Sequence, residues 1–248
     1  MKRLRGLLFA DPLILLSTVV FGTISLAVSF FDESGSAQIR VGRRWARTLL
    51  AVSGVKVRVE GLQHVDLAGS YVFISNHLSY MDTPVVLAHV PVQFRFLAKR
   101  GLFQIPFLGQ HLSRAGHVPV PREDPRASVK TMQLAAEIIQ QKRVSLLIFP
   151  EGGRSRDGQL RPFKEGGAYI AIKAGVPIVP MALIGTREVL PYGSGVVAPG
   201  QVTLRIFPPI ETTGLTLKDR ARITDGIREL ILRETAGLPG DRVDTSAA

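Results

Sequence analysis

The sequence predicts an α/β fold, with a mostly parallel central sheet covered by helices, preceded by an N-terminal helical hairpin. Three observations predict it. Short apolar runs that read as strands alternate with longer stretches of helical periodicity, the pattern that places helices on both faces of a parallel sheet. The segments richest in chemically capable side chains fall just after predicted strands, where ligands bind in such sheets. The pattern also changes near residue 54, setting off residues 1–53 as N-terminal membrane-anchoring helices from an α/β domain at 54–237 and a loose tail at 238–248.

The first strand is expected where Val55, Val57 and Val59 alternate with Lys56, Arg58 and Glu60, the period of an exposed strand. Further apolar runs at 71–75, 94–98, 116–120, 144–149, 178–183 and 202–207 read as strands. The clearest helix between them is 125–141, with Asp124 as N-cap and Pro125 at the first position. Others are expected at 163–174 and 217–235. A helix is expected to begin near Pro84, because proline suits the first helical turn and pushes the preceding residue away from helical angles. That leaves residues 77–82 as a strand-to-helix turn.

The start of the chain has a different composition. After Lys2, Arg3 and Arg5, residues 12–31 carry no charge and are bracketed by Asp11 and Asp32. About twenty apolar residues suffice to cross a bilayer core. A secretory signal and a buried core helix are the competing readings of the same run. In the next segment Arg40, Arg44 and Arg47 recur at helical spacing with Arg43 beside them, while Ile39, Ala46, Leu49 and Leu50 lie towards another side. An amphipathic basic helix after an apolar one suggests a hairpin embedded in one leaflet, with Trp45 at headgroup level and arginines on lipid phosphates; the competing reading packs this helix on the main domain. Basic residues flank the apolar run on both sides, so spanning and dipping both remain open.

Composition narrows the function classes. The chain has 248 residues, enough for one large core with an appendage, and a mean hydropathy of +0.20. It has no cysteine, which excludes disulfides, thiolate metal sites and a cysteine nucleophile. A net charge of +11 favours anionic partners, either membrane lipid or phosphorylated substrates. Nucleic acid is not expected, since no helix-turn-helix, zinc or RNA-binding signature is present. The five histidines are scattered, so no metal centre is expected, and His64, His89, His111 and His117 read as structural or exposed.

The turn Asn76-His77-Leu78-Ser79-Tyr80-Met81-Asp82 carries the central chemistry. In a continuous helix His77 and Asp82 would diverge by about 140°. On a turn the carboxylate can take the Nδ1 proton and leave Nε2 as a base suited to neutral pH. Ser79 is two residues from His77 without a G-x-S-x-G elbow, and reads as a hydrogen-bonding turn residue, not a nucleophile. Lys99, Arg100, Arg122, Arg154, Arg156 and Lys164 sit near strand ends, where they could meet a phosphomonoester, with Arg154 the leading ligand, Arg122 second and Lys99 third. Gly152 and Gly153 would let backbone N–H groups approach an anion.

Four segments in order complete the pattern: residues 76–82, 116–122 (Gly-His-Val-Pro-Val-Pro-Arg), 149–156 (Phe-Pro-Glu-Gly-Gly-Arg-Ser-Arg) and 176–180 (Val-Pro-Ile-Val-Pro), with Phe-Lys-Glu-Gly-Gly-Ala at 163–168. Together they resemble the ordered motifs of the glycerolipid acyltransferases, most like the bacterial 1-acyl-glycerol-3-phosphate acyltransferases, over roughly residues 55 to 210. The resemblance implies transfer of an acyl group from a coenzyme A or acyl carrier protein thioester to the hydroxyl of lysophosphatidic acid, with no further cofactor. It implies His77 as base and Asp82 as its orienter, with Arg122, Glu151, Gly152 and Arg154 holding the glycerol phosphate, although Glu151 can instead hold an arginine in place. The fourth motif shapes the acyl-donor side. It also implies a membrane-associated protein on the cytoplasmic face of the inner or plasma membrane. Gly153 departs from the pattern, since threonine is commoner there; the run Glu-Gly-Gly-Arg-Ser-Arg is closer to some glycerol-3-phosphate acyltransferases.

Overall fold

The computed structural model describes residues 6–121 and 125–236. Seven strands, β1 (Val55–Glu60), β2 (Val72–Ser75), β3 (Phe94–Lys99), β4 (Val118–Val120), β5 (Ser145–Ile148), β6 (Ile178–Ile184) and β7 (Gly200–Ile206), form one sheet ordered β1-β7-β6-β2-β5-β3-β4. Strands β6, β2, β5, β3 and β4 are mutually parallel; β7 pairs antiparallel with β6 and parallel with β1. Each strand coincides with an apolar run expected from the sequence, with shifts of one or two residues at the ends.

The helices are α1 (Asp11–Val28), α2 (Ser36–Ser53), α3 (Asp82–His89), α4 (Leu108–Arg114), α5 (Pro125–Lys142), α6 (Gly166–Ala174), α7 (Thr186–Val189) and α8 (Arg220–Thr235). Helices α4 and α7 were not expected, because seven and four residues are too few for periodicity to register. The proposed N-cap Asp124 and the tail at 238–248 lie outside the described residues. Helix α3 starts at Asp82, two positions before the proline that was expected to open it, so Asp82 lies in the first turn of the helix.

Strand alternation sorts the core onto two faces. On β2, Phe73 joins Phe94, Leu147 and Val179 against Ile39, Leu49, Val85 and Val86 of α2 and α3. Val72 and Ile74 point the other way and, with Leu146 and Ile148, pack on Ala135, Ile139, Ala168, Ile170 and Ile227. Gly167 permits this second layer to close: a Cβ there would lie 2.7 Å from Cδ1 of Ile74.

The N-terminal helices differ in how they meet this body. Helix α2 buries Ile39, Val41, Ala46, Leu49 and Leu50. The expectation that its arginines act together on lipid needs correction. Arg43 is half-buried and its Nη2 donates to the carbonyls of Val90 (2.8 Å) and Val92 (2.5 Å), whereas Arg40, Arg44 and Arg47 are exposed. Helix α1 leans on α2, with Trp45 Nε1 donating to Thr18 Oγ1 at 3.1 Å. Leu13, Leu15, Leu16, Val19, Val20 and Ile24 remain exposed on it. Residues Leu8–Val28 are long and apolar enough to cross a bilayer.

At the end of β2 the chain leaves the sheet through a buried side chain. Asn76 Nδ2 donates to Leu183 O and its Oδ1 accepts from Leu183 N, both at 2.8 Å, so the amide continues the pairing with β6 as a peptide unit would. Asn76→Ala leaves both Leu183 groups unpaired in a dry environment and is expected to cost about 2–4 kcal/mol, read as a lowered urea midpoint.

Candidate active site

Strands β2 and β5 are parallel neighbours, so the segments after their carboxyl ends meet. This brings the turn at 76–82 against the loop that starts at Phe149. The loop holds the backbone of His77 from both sides: Glu151 Oε1 accepts its N–H at 2.6 Å, and its carbonyl accepts from Ser155 N at 3.1 Å. Ser79 Oγ donates to Leu190 O at 2.8 Å and accepts from Met81 N, as expected of a turn residue.

Within the turn, His77 Nδ1 and Asp82 Oδ2 are 2.7 Å apart. The same oxygen accepts the backbone N–H groups of Leu78 (2.7 Å) and Ser79 (2.8 Å). A carboxylate only accepts, so the imidazole donates from Nδ1 and keeps a lone pair on Nε2. The first turn of α3 places the positive end of the helix beside this charge. Asp82 is fully buried, whereas 18% of the His77 side chain reaches solvent. One face of the imidazole stacks on Phe149, with centroids 4.1 Å apart and planes 15° apart. Geometry therefore supplies a fixed, partly accessible base with its orienter shielded behind it.

The other expected site residues fall into distinct environments. Glu151 is buried, and its second oxygen accepts Arg161 N at 3.1 Å. Both oxygens are thus committed to main-chain donors, which fits a holder of the turn better than a substrate ligand; the group it holds is backbone, not an arginine side chain. Burial pushes its carboxyl up to about 7, with Asp82 acting the same way and the two N–H donors opposing. Gly152 takes a left-handed conformation (φ +70°) that closes the turn from Phe149, and Lys164 lies against it. Lys99 is exposed at the end of β3, and Arg122 lies outside the described residues.

Arg154 has the most developed setting among the described cations. Its guanidinium lies 3.3 Å from the centre of the Tyr80 ring and 4.7 Å from that of Tyr192, with Arg156 also near Tyr192. Tyr80 and Met81 also border a cavity of about 380 Å³ whose other walls include Ile14, Trp45, Leu49 and Pro84. The roles of Phe149, Tyr80 and Tyr192 were not foreseen. Phe149 and Tyr80 stand inside recognised motifs, but Tyr192 lies far along the chain from Arg154, outside every motif, and carries no local signal. His117 is buried, and Nδ1 accepts Phe96 N, so it is structural.

Comparison with known proteins identifies the family. The acyltransferase family model matches residues 56–184. The chain belongs to the acyltransferase family. Among its relatives, this acyltransferase is 32% identical over 209 residues to a 1-acyl-sn-glycerol-3-phosphate acyltransferase of Limnanthes douglasii, covering 83% of this chain and 73% of that protein. It is 40% identical over 157 residues to the chloroplastic 1-acyl-sn-glycerol-3-phosphate acyltransferase BAT2 of Brassica napus, covering 62% of this chain and 45% of that protein. The crystal structure of the 1-acyl-sn-glycerophosphate (LPA) acyltransferase PlsC from Thermotoga maritima superposes with a TM-score of 0.78 at 25% identity, over 96% of this chain and 99% of that one.

Because the Glu151 pKa is raised above the ordinary carboxyl value of about 4.3, folding favours its protonated form. Its contribution to stability is therefore full below about pH 4 and lost as pH rises through about 7. The permanently neutral Glu151→Gln is expected to lack this dependence, so denaturant midpoints from pH 4 to 8 should fall more steeply in the parent than in the variant.

Proposed function

We propose that the protein transfers an acyl group from a coenzyme A or acyl carrier protein thioester to the sn-2 hydroxyl of 1-acyl-glycerol 3-phosphate, giving phosphatidic acid. The observation that carries this reading is the 2.7 Å contact between His77 Nδ1 and Asp82 Oδ2 on the turn after β2. Family membership and relatives named for this reaction support the acceptor.

A thioester is already activated, so no covalent enzyme intermediate is needed. His77 Nε2 takes the hydroxyl proton as the oxygen attacks the thioester carbonyl carbon. The tetrahedral oxyanion then collapses, the C–S bond breaks, and the imidazolium returns its proton to the leaving thiolate. Asp82 keeps the ring in the required tautomer and stabilises the imidazolium. Arg154, held on the tyrosine faces, presents its guanidinium to the acceptor phosphate, and Lys99, exposed at the end of β3, adds positive charge. The apolar cavity beside Tyr80 has the size of a small-molecule site and suits a hydrocarbon chain.

Helix α1 supports a membrane location, because an apolar surface of this extent is costly in water. We place the protein on the cytoplasmic face of the inner or plasma membrane, with anionic lipids as partners of the exposed arginines of α2.

His77→Ala is expected to lower kcat roughly 10²–10⁴-fold with an unchanged circular dichroism spectrum, measured as thioester consumption with 1-acyl-glycerol 3-phosphate. Turnover with that acceptor should exceed turnover with glycerol 3-phosphate, and the acyl chain should appear in a new ester; release as free fatty acid would mark a hydrolase. Arg154→Ala removes a charge-assisted contact and is expected to raise KM for the phosphorylated acceptor about 10–100-fold, with the KM for the thioester little changed.

A further inference from the structure

Apart from α1, the described surface outside the site carries an apolar cluster that the reaction does not use. Between β3 and α4, Leu102, Ile105, Phe107 and Leu108 are all exposed, Phe107 at 74%. This display is built into the backbone. Phe107 has φ +63° and ψ −54°, and Leu108 N donates to Pro106 O at 2.7 Å, the uncommon γ-turn that a bulky residue adopts only under constraint. The constraint is visible on both sides: Gly109 N donates to Ile105 O at 2.8 Å, and a Cβ on Gly109 would lie 2.1 Å from Phe103 O. The chain is thus bent so that an aromatic ring projects away from the core.

Two further facts say what the ring meets. The first is continuity with α1. Ser25 Oγ and His111 Nδ1 are 2.7 Å apart, Arg114 Nη1 donates to Ser29 Oγ at 3.4 Å, and the Arg114 guanidinium lies 4.4 Å from the centre of the Phe30 ring. Helix α4 has seven residues, about 10 Å of rise, which is less than the about 15 Å of one hydrocarbon leaflet. The loop is therefore fixed near the apolar helix, and it leaves β3 at the same sheet edge that carries His77 and Glu151. The second is charge. Lys99 and Arg100, both exposed, stand where the loop begins, with aliphatic stems suited to an interface and cationic tips suited to anionic phosphates.

We propose that loop 102–108 is a second lipid-contacting element, inserting Phe107 and its apolar neighbours into the same leaflet of an anionic bilayer as α1. Two anchors on different elements fix the tilt of the catalytic domain, so that the site edge faces the headgroups from which a lysophospholipid acceptor is drawn. The proposal rests on the membrane location proposed above and goes beyond it in naming a second, independent contact.

The test uses the full chain with Trp45, its one tryptophan, replaced by phenylalanine. Phe107→Trp and Leu16→Trp are made separately as reporters of the loop and of α1. Each is mixed with phosphatidylcholine–phosphatidylglycerol vesicles carrying brominated acyl chains. Quenching of both reporters is expected. Quenching of Leu16→Trp alone leaves the membrane location standing and overturns the loop proposal; quenching of neither overturns both. In the otherwise unchanged chain, Phe107→Asn places a residue tolerant of positive φ at the bend. It is expected to hold or raise the thermal midpoint, to weaken vesicle binding about tenfold, and to leave turnover of a short-chain soluble acceptor unchanged. Undiminished vesicle binding by Phe107→Asn would overturn the proposal.

Discussion

The hydrogen bond from His77 N to Glu151 Oε1 is the constraint on which the site depends. It joins the ends of two adjacent parallel strands through a side chain that is buried and accepts main-chain N–H groups from both segments. With the backbone of His77 also bonded through its carbonyl to Ser155, the turn has little freedom to shift. Only on such a rigid turn does one oxygen of Asp82 gather three donors, two from backbone and one from imidazole. The imidazole is thus held in one orientation by the protein alone, which is what positioning would require of the proposed base in a bimolecular transfer.

Burial and exposure are divided to match this chemistry. Asp82 is fully buried, so its charge is poorly screened and acts strongly on the three donors around it, while the imidazole keeps an open edge. The cationic side of the site is handled differently. Arg154 is held by ring faces, and among the described residues it pairs with no carboxylate, so its charge is directed without being neutralised there. A guanidinium held this way remains available to a phosphate, which a buried ion pair would not allow.

The fold was legible from the sequence to an unusual degree because its central strands β2, β5 and β6 are buried on both faces and read as short continuous apolar runs. The turn at 76–82 was legible because histidine, aspartate and a following proline constrain each other locally. Other features were not. The partners of Glu151 are backbone groups 74 and 10 residues away, and main-chain donors have no letter in a sequence. Arg43 looks like its exposed neighbours on the helix, and only the carbonyls at the end of α3 and beyond it single it out.

The sequence by itself determined the alternation of strands and helices and the apolar start, and it allowed His77 and Asp82 to meet on a turn, because each follows from residue type at short separation. Tertiary structure alone decided that β2 and β5 lie side by side, that Tyr80 and Tyr192 flank Arg154, and that Phe107 is turned outward. Strand order and cross-chain contacts depend on which surfaces exclude water together. That is a property of the packed whole, and no local pattern encodes it.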